Sequence, residues 1–409
     1  MKRTAWLAGA ACALVLSMPA KAQTVIDLWH VFNIDTDMIH GGIAAFNEQN
    51  PDVQVNARVL PFADLRTELI RSVATGDVPD LVVLNNPETP GFAAQGALED
   101  ITALVEASDV IDPSAYFPGP WSTVQWDGRI FGVPRASNTI ALYYNVDKFR
   151  EAGLDPDNPP TTWGELKAAA EKLTDPANNQ FGIAFSAIQT EEGTFQFLPW
   201  VYQAGGSLED LTSPEAVSAL EFWTGLVEDG NATRDVVNMR QYEATNTFIA
   251  GNAAMAISGP WELPRIDREA TFDWRVAKLP VKEGVGIEAS ALGGFNWVIP
   301  AGAKDKEAAF RFLEFMSTQP VLQNAWATGR IPSRTDITVP EPKWPQAFET
   351  YRAQMQHARA LGPHPQWPEI SAPIQRAIQE ALTGTKSPAD AMAGAHAQIR
   401  PILDRTPLP

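Results

Sequence analysis

Side chains that usually carry catalysis are few and badly spaced in this chain. Its five histidines, His30, His40, His357, His364 and His396, include no metal-ligand spacing such as a His-x-x-x-His pair. The single cysteine, Cys12, lies in an apolar N-terminal run, so no thiol nucleophile is expected in a processed chain. No Gly-x-Ser-x-Gly elbow, P-loop or dinucleotide glycine fingerprint occurs. Carboxylates are plentiful, but pairing two as the acid and nucleophile of a glycosidase requires spatial proximity, and solvated surface acids are the simpler reading. No enzyme activity, metal or cofactor is therefore expected.

Binding chemistry has more support. Thirteen tryptophans are many for 409 residues. Flat indole faces stack on the apolar faces of sugar rings, while nearby polar groups fix hydroxyls. Trp261 closes the run Met255-Ala-Ile-Ser-Gly-Pro-Trp261, which adds Ser258 and Gly259 to the candidates; an interlobe core aromatic is the alternative. Trp200 and Trp297 are further candidates, whereas Trp163 and Trp223 sit on helices and read as core. Ser137 and Asn138 can exchange hydrogen bonds with hydroxyls, or form a turn where the chain changes lobe. Gly294, with Gly293 before Phe295 and Asn296, suits either close backbone approach to a ligand or a tight start to a strand. Arg330, after Gly329, could fork onto an anion or hydroxyls, or simply end a helix.

The elements that must position these residues alternate. Val25 to Trp29 reads as a strand, Met38 to Asn50 as an amphipathic helix, and Val53 to Leu60 as a strand. Phe62 to Thr75 reads as a helix stopping at Gly76, and Leu81 to Leu84 as a short buried strand. Repeated strand–helix–strand units imply parallel sheets with helices on both faces. Ligands of such sheets lie beyond the carboxyl ends of strands, which points to His30, Asn85 and Asn86. Phe62, opening its helix, joins that set. Further on, Ile140 to Tyr144 reads as a strand and Val146 to Ala152 as a short helix that Asn145 and Asp147 can cap. Thr162 and Glu165 read as a capping box. Phe195 to Tyr202 and Pro214 to Glu228 read as helices, and Trp274 to Leu279 as a strand crossing between lobes.

Length and composition bound the class. A chain of 409 residues exceeds one usual core, so two α/β lobes are expected. Lys2 and Arg3, the apolar run Ala5 to Met18, and Ala20-Lys-Ala22 read as a signal peptide over residues 1–22, cleaved before Gln23. A membrane anchor is the alternative, but the run is short for a span. Loss of Lys2, Arg3 and Lys21 takes the formal charge from −18 to −21. Such a charge opposes binding to nucleic acid.

The stretch from Ile140 to Leu166 carries a resemblance. Its order, Leu-Tyr-Tyr-Asn, then Ala-Gly-Leu-Asp-Pro, Pro-Pro and Thr-Trp, resembles bacterial extracellular solute-binding proteins of the large carbohydrate-binding class, the receptors of ABC importers. Ala74-Thr-Gly-Asp-Val-Pro-Asp-Leu81 matches the same family. The resemblance implies a type II periplasmic-binding-protein fold of two interleaved α/β lobes around a cleft. It places residues 23–135 and 277–329 in one lobe, and 136–276 and 330–409 in the other. It implies a periplasmic monomer that closes on a carbohydrate or a glycerol-3-phosphate-like phosphoester and delivers it to ABC permease subunits. A secreted carbohydrate-active enzyme, or a sensor coupled to a chemoreceptor, is the competing reading. Ser371 is also a candidate contact. It lies in Trp367-Pro-Glu-Ile-Ser371, where the glycerol-phosphate branch carries a ligand-binding arginine. Leu84 stands where the maltose branch has a stacking tryptophan.

Overall fold

The structure, a computed structural model, describes residues 23–32 and 38–408. The expected signal peptide lies outside the described residues, as does part of the loop after the first strand. Among the described residues no helix is long and apolar enough to cross a membrane.

Two sheets organise the chain. The first contains β1 (Thr24–His30), β2 (Val53–Val59), β3 (Leu81–Asn85), β6 (Val133–Asn138), β11 (Ser290–Val298) and β12 (Ala358–Ala360). β1 runs parallel to both β2 and β3, while β11 runs antiparallel to β3 and β6. The second contains β7 (Ala141–Asn145), β8 (Phe181–Ala184), β9 (Ala253–Ser258) and β10 (Trp274–Ala277), in the order β10-β7-β9-β8. A two-residue hairpin, β4 (Gln125–Trp126) and β5 (Arg129–Ile130), stands apart. β3 and β7 read as continuous apolar runs because helices cover both faces of their sheets. Each sheet has its own core. Ile26, Leu28, Val83, Trp297 and Phe312 pack in the first, and Leu142, Tyr144, Trp200, Trp223 and Ile374 in the second.

Local punctuation matches the chemistry of the sequence. Asn145 Oδ1 accepts from the backbone N–H groups of Asp147 and Lys148 at 3.0 Å each, capping the helix Val146–Glu151. Thr162 and Glu165 form the reciprocal capping box of the helix Trp163–Leu173.

The chain crosses between the sheets more than once. Only Thr139 and Ile140 separate β6 from β7. β11 is itself shared. Ser290 to Leu292 pair with β12, and Ala291 joins the core of the second sheet, whereas Phe295 to Val298 pair with β3. Gly293 and Gly294 occupy the changeover. A Cβ on Gly294, whose φ is 150°, would lie 2.6 Å from the Ala136 carbonyl oxygen; one on Gly293 would collide with Asn138 and Phe195. The close approach that requires glycine here is therefore to neighbouring protein. Beside it, Ser137 and Ile331 exchange backbone hydrogen bonds of 2.8 and 3.1 Å. β10 lies wholly within the second sheet, antiparallel to β7, so the crossing follows it rather than running through it.

Candidate functional site

A cavity of about 410 Å³ opens between the two sheets, within the ~300–1,000 Å³ usual for small-molecule sites. One wall comes from carboxyl ends in the first sheet. Phe32 follows β1, Asn85 ends β3, Asn86 and Pro87 continue it, and Phe62 opens the neighbouring helix. The opposite wall is built by Glu191, Glu192 and Phe195 of the helix Glu191–Gln203, by Arg240 to Tyr242, and by Trp261 and Glu262 in the turn after β9. Asn138, Gly293, Gly294, Phe295, Arg330 and Leu361 complete it where the lobes join.

The turn that presents Trp261 is held from behind. Tyr143 donates to the Gly259 carbonyl at 2.8 Å and Tyr351 to the Ser258 carbonyl at 3.2 Å. Thr245 donates to the Ser258 hydroxyl at 3.1 Å. A Cβ on Gly259 would fall within the Trp261 ring, so glycine is what lets the indole fold back over the turn. Gly329, in the left-handed region at φ 70°, packs against the Pro260 carbonyl. This contact couples the Arg330 segment to the Trp261 turn. Phe195 adds a second ring, 6.3 Å from Trp261 between centroids.

Polar groups converge on the same space. Asn138 Oδ1 is buried with no hydrogen-bond partner among the described residues. A buried acceptor of this kind is free to accept from a hydroxyl or a water in the cavity. Glu191 accepts from the Trp367 indole N–H and from the Ser371 hydroxyl, each at 2.7 Å. Burial raises its pKa, partly offset by those two bonds. Glu192 accepts from the Gln241 N–H at 2.7 Å, and burial raises it as well. Glu262 is paired with Arg265 at 2.7 Å; burial raises it against the pull of Arg265 and Arg330. Just outside the lining, burial pushes Glu88 up to about 8, with Arg66 opposing and Glu191 reinforcing the rise. Glu191, Glu192 and Glu262 thus line the cavity together with Arg240 and Arg330. The Arg330 guanidinium lies 5.1 Å from the Phe32 ring centroid.

The sequence-derived candidates divide. Phe62, Asn85, Asn86, Asn138, Trp261, Gly294 and Arg330 line the cavity. The others do not. Trp200 is fully buried against Trp163 and Phe222, and Trp297 is buried against Phe312. Both are core residues, because their elements are covered on every side. Asn296 spends its amide on Thr89 and Thr123, at 3.0 Å each. His30 is buried beside His40, its Nδ1 accepting from the Phe32 N–H. Ser137 bonds Ser333 at 3.0 Å at the lobe junction. Ser258 and Gly259 shape the turn under Trp261, and Ser371 reaches the cavity through Glu191. Glu191, Glu192, Phe195 and Tyr242 escaped the sequence reading. Thr190, whose side chain accepts from the Glu192 N–H, is an N-cap followed by two acids, a signal for a helix start that brings these glutamates forward.

A sequence profile described as bacterial extracellular solute-binding protein matches residues 42–350. The chain belongs to that family. This solute-binding protein is 27% identical to the maltotriose-binding protein of Pyrococcus abyssi, over 92% of its own length and 80% of the relative's. It is 28% identical to the sn-glycerol-3-phosphate-binding periplasmic protein of Salmonella typhimurium, over 80% of its length and 78% of the relative's. Among solved structures, an ABC transporter solute-binding protein of Thermotoga lettingae, bound with α-D-tagatose, superposes with a TM-score of 0.84 at 29% identity. That match covers 93% of this chain and all of the other. The solute-binding protein therefore has the two-lobed type II α/β fold, and the cavity lies between its lobes.

Proposed function

We propose that this protein is the periplasmic receptor of an ABC importer and that its solute is a neutral carbohydrate. The carrying observation is Glu191. Its carboxylate lines the cavity, held by Ser371 and Trp367, in the region where the glycerol-phosphate branch is marked by an arginine. A phosphoester there would meet a carboxylate instead of a cation. A sugar hydroxyl would donate to it, as others would exchange bonds with Asn85, Asn86 and Asn138. Trp261 and Phe195 supply the apolar faces.

Binding couples to closure. A solute that touches both walls only when they approach stabilises the closed state by those extra contacts. The junction of Ser137, Gly293, Gly294 and Ile331 is the hinge in this reading, with residues 23–135 and 277–329 moving against 136–276 and 330–409. Export through a cleaved segment 1–22 places the receptor in the periplasm, and the permease subunits read its closure.

The test is a thermal-shift screen over neutral mono- and oligosaccharides, polyols and sn-glycerol-3-phosphate. A ligand at 100 times its Kd adds about 2.7 kcal/mol. Neutral sugars should raise Tm and the phosphoester should not. A shift with the phosphoester alone would overturn the neutral-sugar reading.

A further inference from the structure

We propose that Tyr242 and Phe62 form an outer stacking subsite at the mouth of the cleft, so that the solute is a saccharide of at least two rings. The inference rests on the carbohydrate reading above and goes on to chain length, which that reading leaves open.

Among the described residues, the exposed large aromatics are Phe62, Phe117 and Tyr242. Two of these three line the same cavity, from opposite lobes. Tyr242 is 56% exposed and Phe62 42%, against 9% for Phe195. The lining aromatics thus differ in exposure, with Phe195 beside Trp261 nearly covered and Tyr242 and Phe62 the most exposed. A single ring against Trp261 and Phe195 would leave the exposed pair in water.

The outer platform is fixed in place. The Arg265 guanidinium lies 4.0 Å from the Tyr242 ring centroid. That guanidinium is itself immobilised. It donates to Glu262 at 2.7 Å, to the Tyr242 carbonyl at 3.2 Å, and to Asn246. Its side chain is only 11% exposed. A cation stacked on the ring favours one orientation of it, and Tyr242 still lines the cavity. On the other wall, Phe62 follows Pro61 and leans on Phe295, with centroids 6.2 Å apart. Exposed aromatics with such contacts behind them suit a second, stacked ring, because part of their side-chain freedom is already lost before binding.

The experiment is calorimetric titration of the mature protein with two length series, glucose to maltotriose and mannose to mannotriose, after a saccharide panel has identified any other responding series. For the responding series, affinity should rise from one ring to two or three. Tyr242→Ala should cut that length-dependent gain about tenfold, and Tyr242→Phe should retain it. Thermal melts of each variant separate loss of fold from loss of contact. Equal affinity for one ring and three, or a gain untouched by Tyr242→Ala, overturns the inference and leaves the carbohydrate reading standing. Loss in Tyr242→Phe as well assigns the effect to the hydroxyl and overturns stacking. Failure of every neutral saccharide overturns both.

Discussion

Ser371 donates a 2.7 Å hydrogen bond to Glu191, and Glu191 lines the cleft. The hydroxyl is buried, so it meets the cleft only through the carboxylate. Thr194 and Gln375 also bond the Ser371 oxygen, at 2.8 and 2.9 Å. The glutamate is thus held by a network, and its position is set by the helix Trp367–Leu382.

The first prediction concerns that network. Glu191→Ala should weaken the best neutral saccharide by about tenfold to a hundredfold, the usual cost of a charge-assisted hydrogen bond. Ser371→Ala should weaken it less, since Trp367 still orients the carboxylate. Calorimetry on both variants checks the order.

Trp261 provides the second. Trp261→Ala should lower affinity at least tenfold, because stacking area and the shape of the turn are lost together. Trp200→Phe, deep in the second core, should change Tm and leave affinity within about twofold. Equal losses of affinity in both variants would reverse the assignment of the two tryptophans.

Gly294 gives a stability test. Gly294→Ala places a methyl 2.6 Å from the Ala136 carbonyl oxygen at the lobe junction. Overpacking of this kind typically costs about 1–3 kcal/mol. Urea unfolding should show a lower midpoint, and Gly225→Ala, where an added Cβ meets open space, should not.

Glu88 sets a pH dependence. Its pKa in the folded protein is about 8, against 4.5 when free. The folded state therefore holds a proton that the unfolded chain releases. Stability from this group is full below about pH 4.5 and falls as pH rises towards 8. Melting of the unliganded protein should show this decline, and Glu88→Gln should flatten it. A steeper decline in the variant would contradict the assignment.

The lobes were more legible in sequence than the cleft was. Capping by Asn145 and the Thr162–Glu165 box could be read because they are local, three residues or fewer. Asn85 and Asn86 could be read because strand ends in parallel sheets have a defined role. Trp200 could not be placed, since a helix buried on every face has no periodicity to show which side meets a ligand. Tyr242 is hard to single out for the opposite reason. An exposed aromatic in a helical segment looks like ordinary surface until another lobe stands across from it.

The burial pattern of the indoles has an optical consequence. Trp200, Trp223, Trp297 and Trp326 are sealed in cores, so a solute leaves their surroundings almost unchanged. Trp261 faces the cavity, and the Trp367 N–H bonds a carboxylate that lines it. If the solute binds in this cavity, the protein should carry its own reporter: a steady emission background with a small component tied to occupancy. Stopped-flow recording on unlabelled protein can follow capture and release from that component alone.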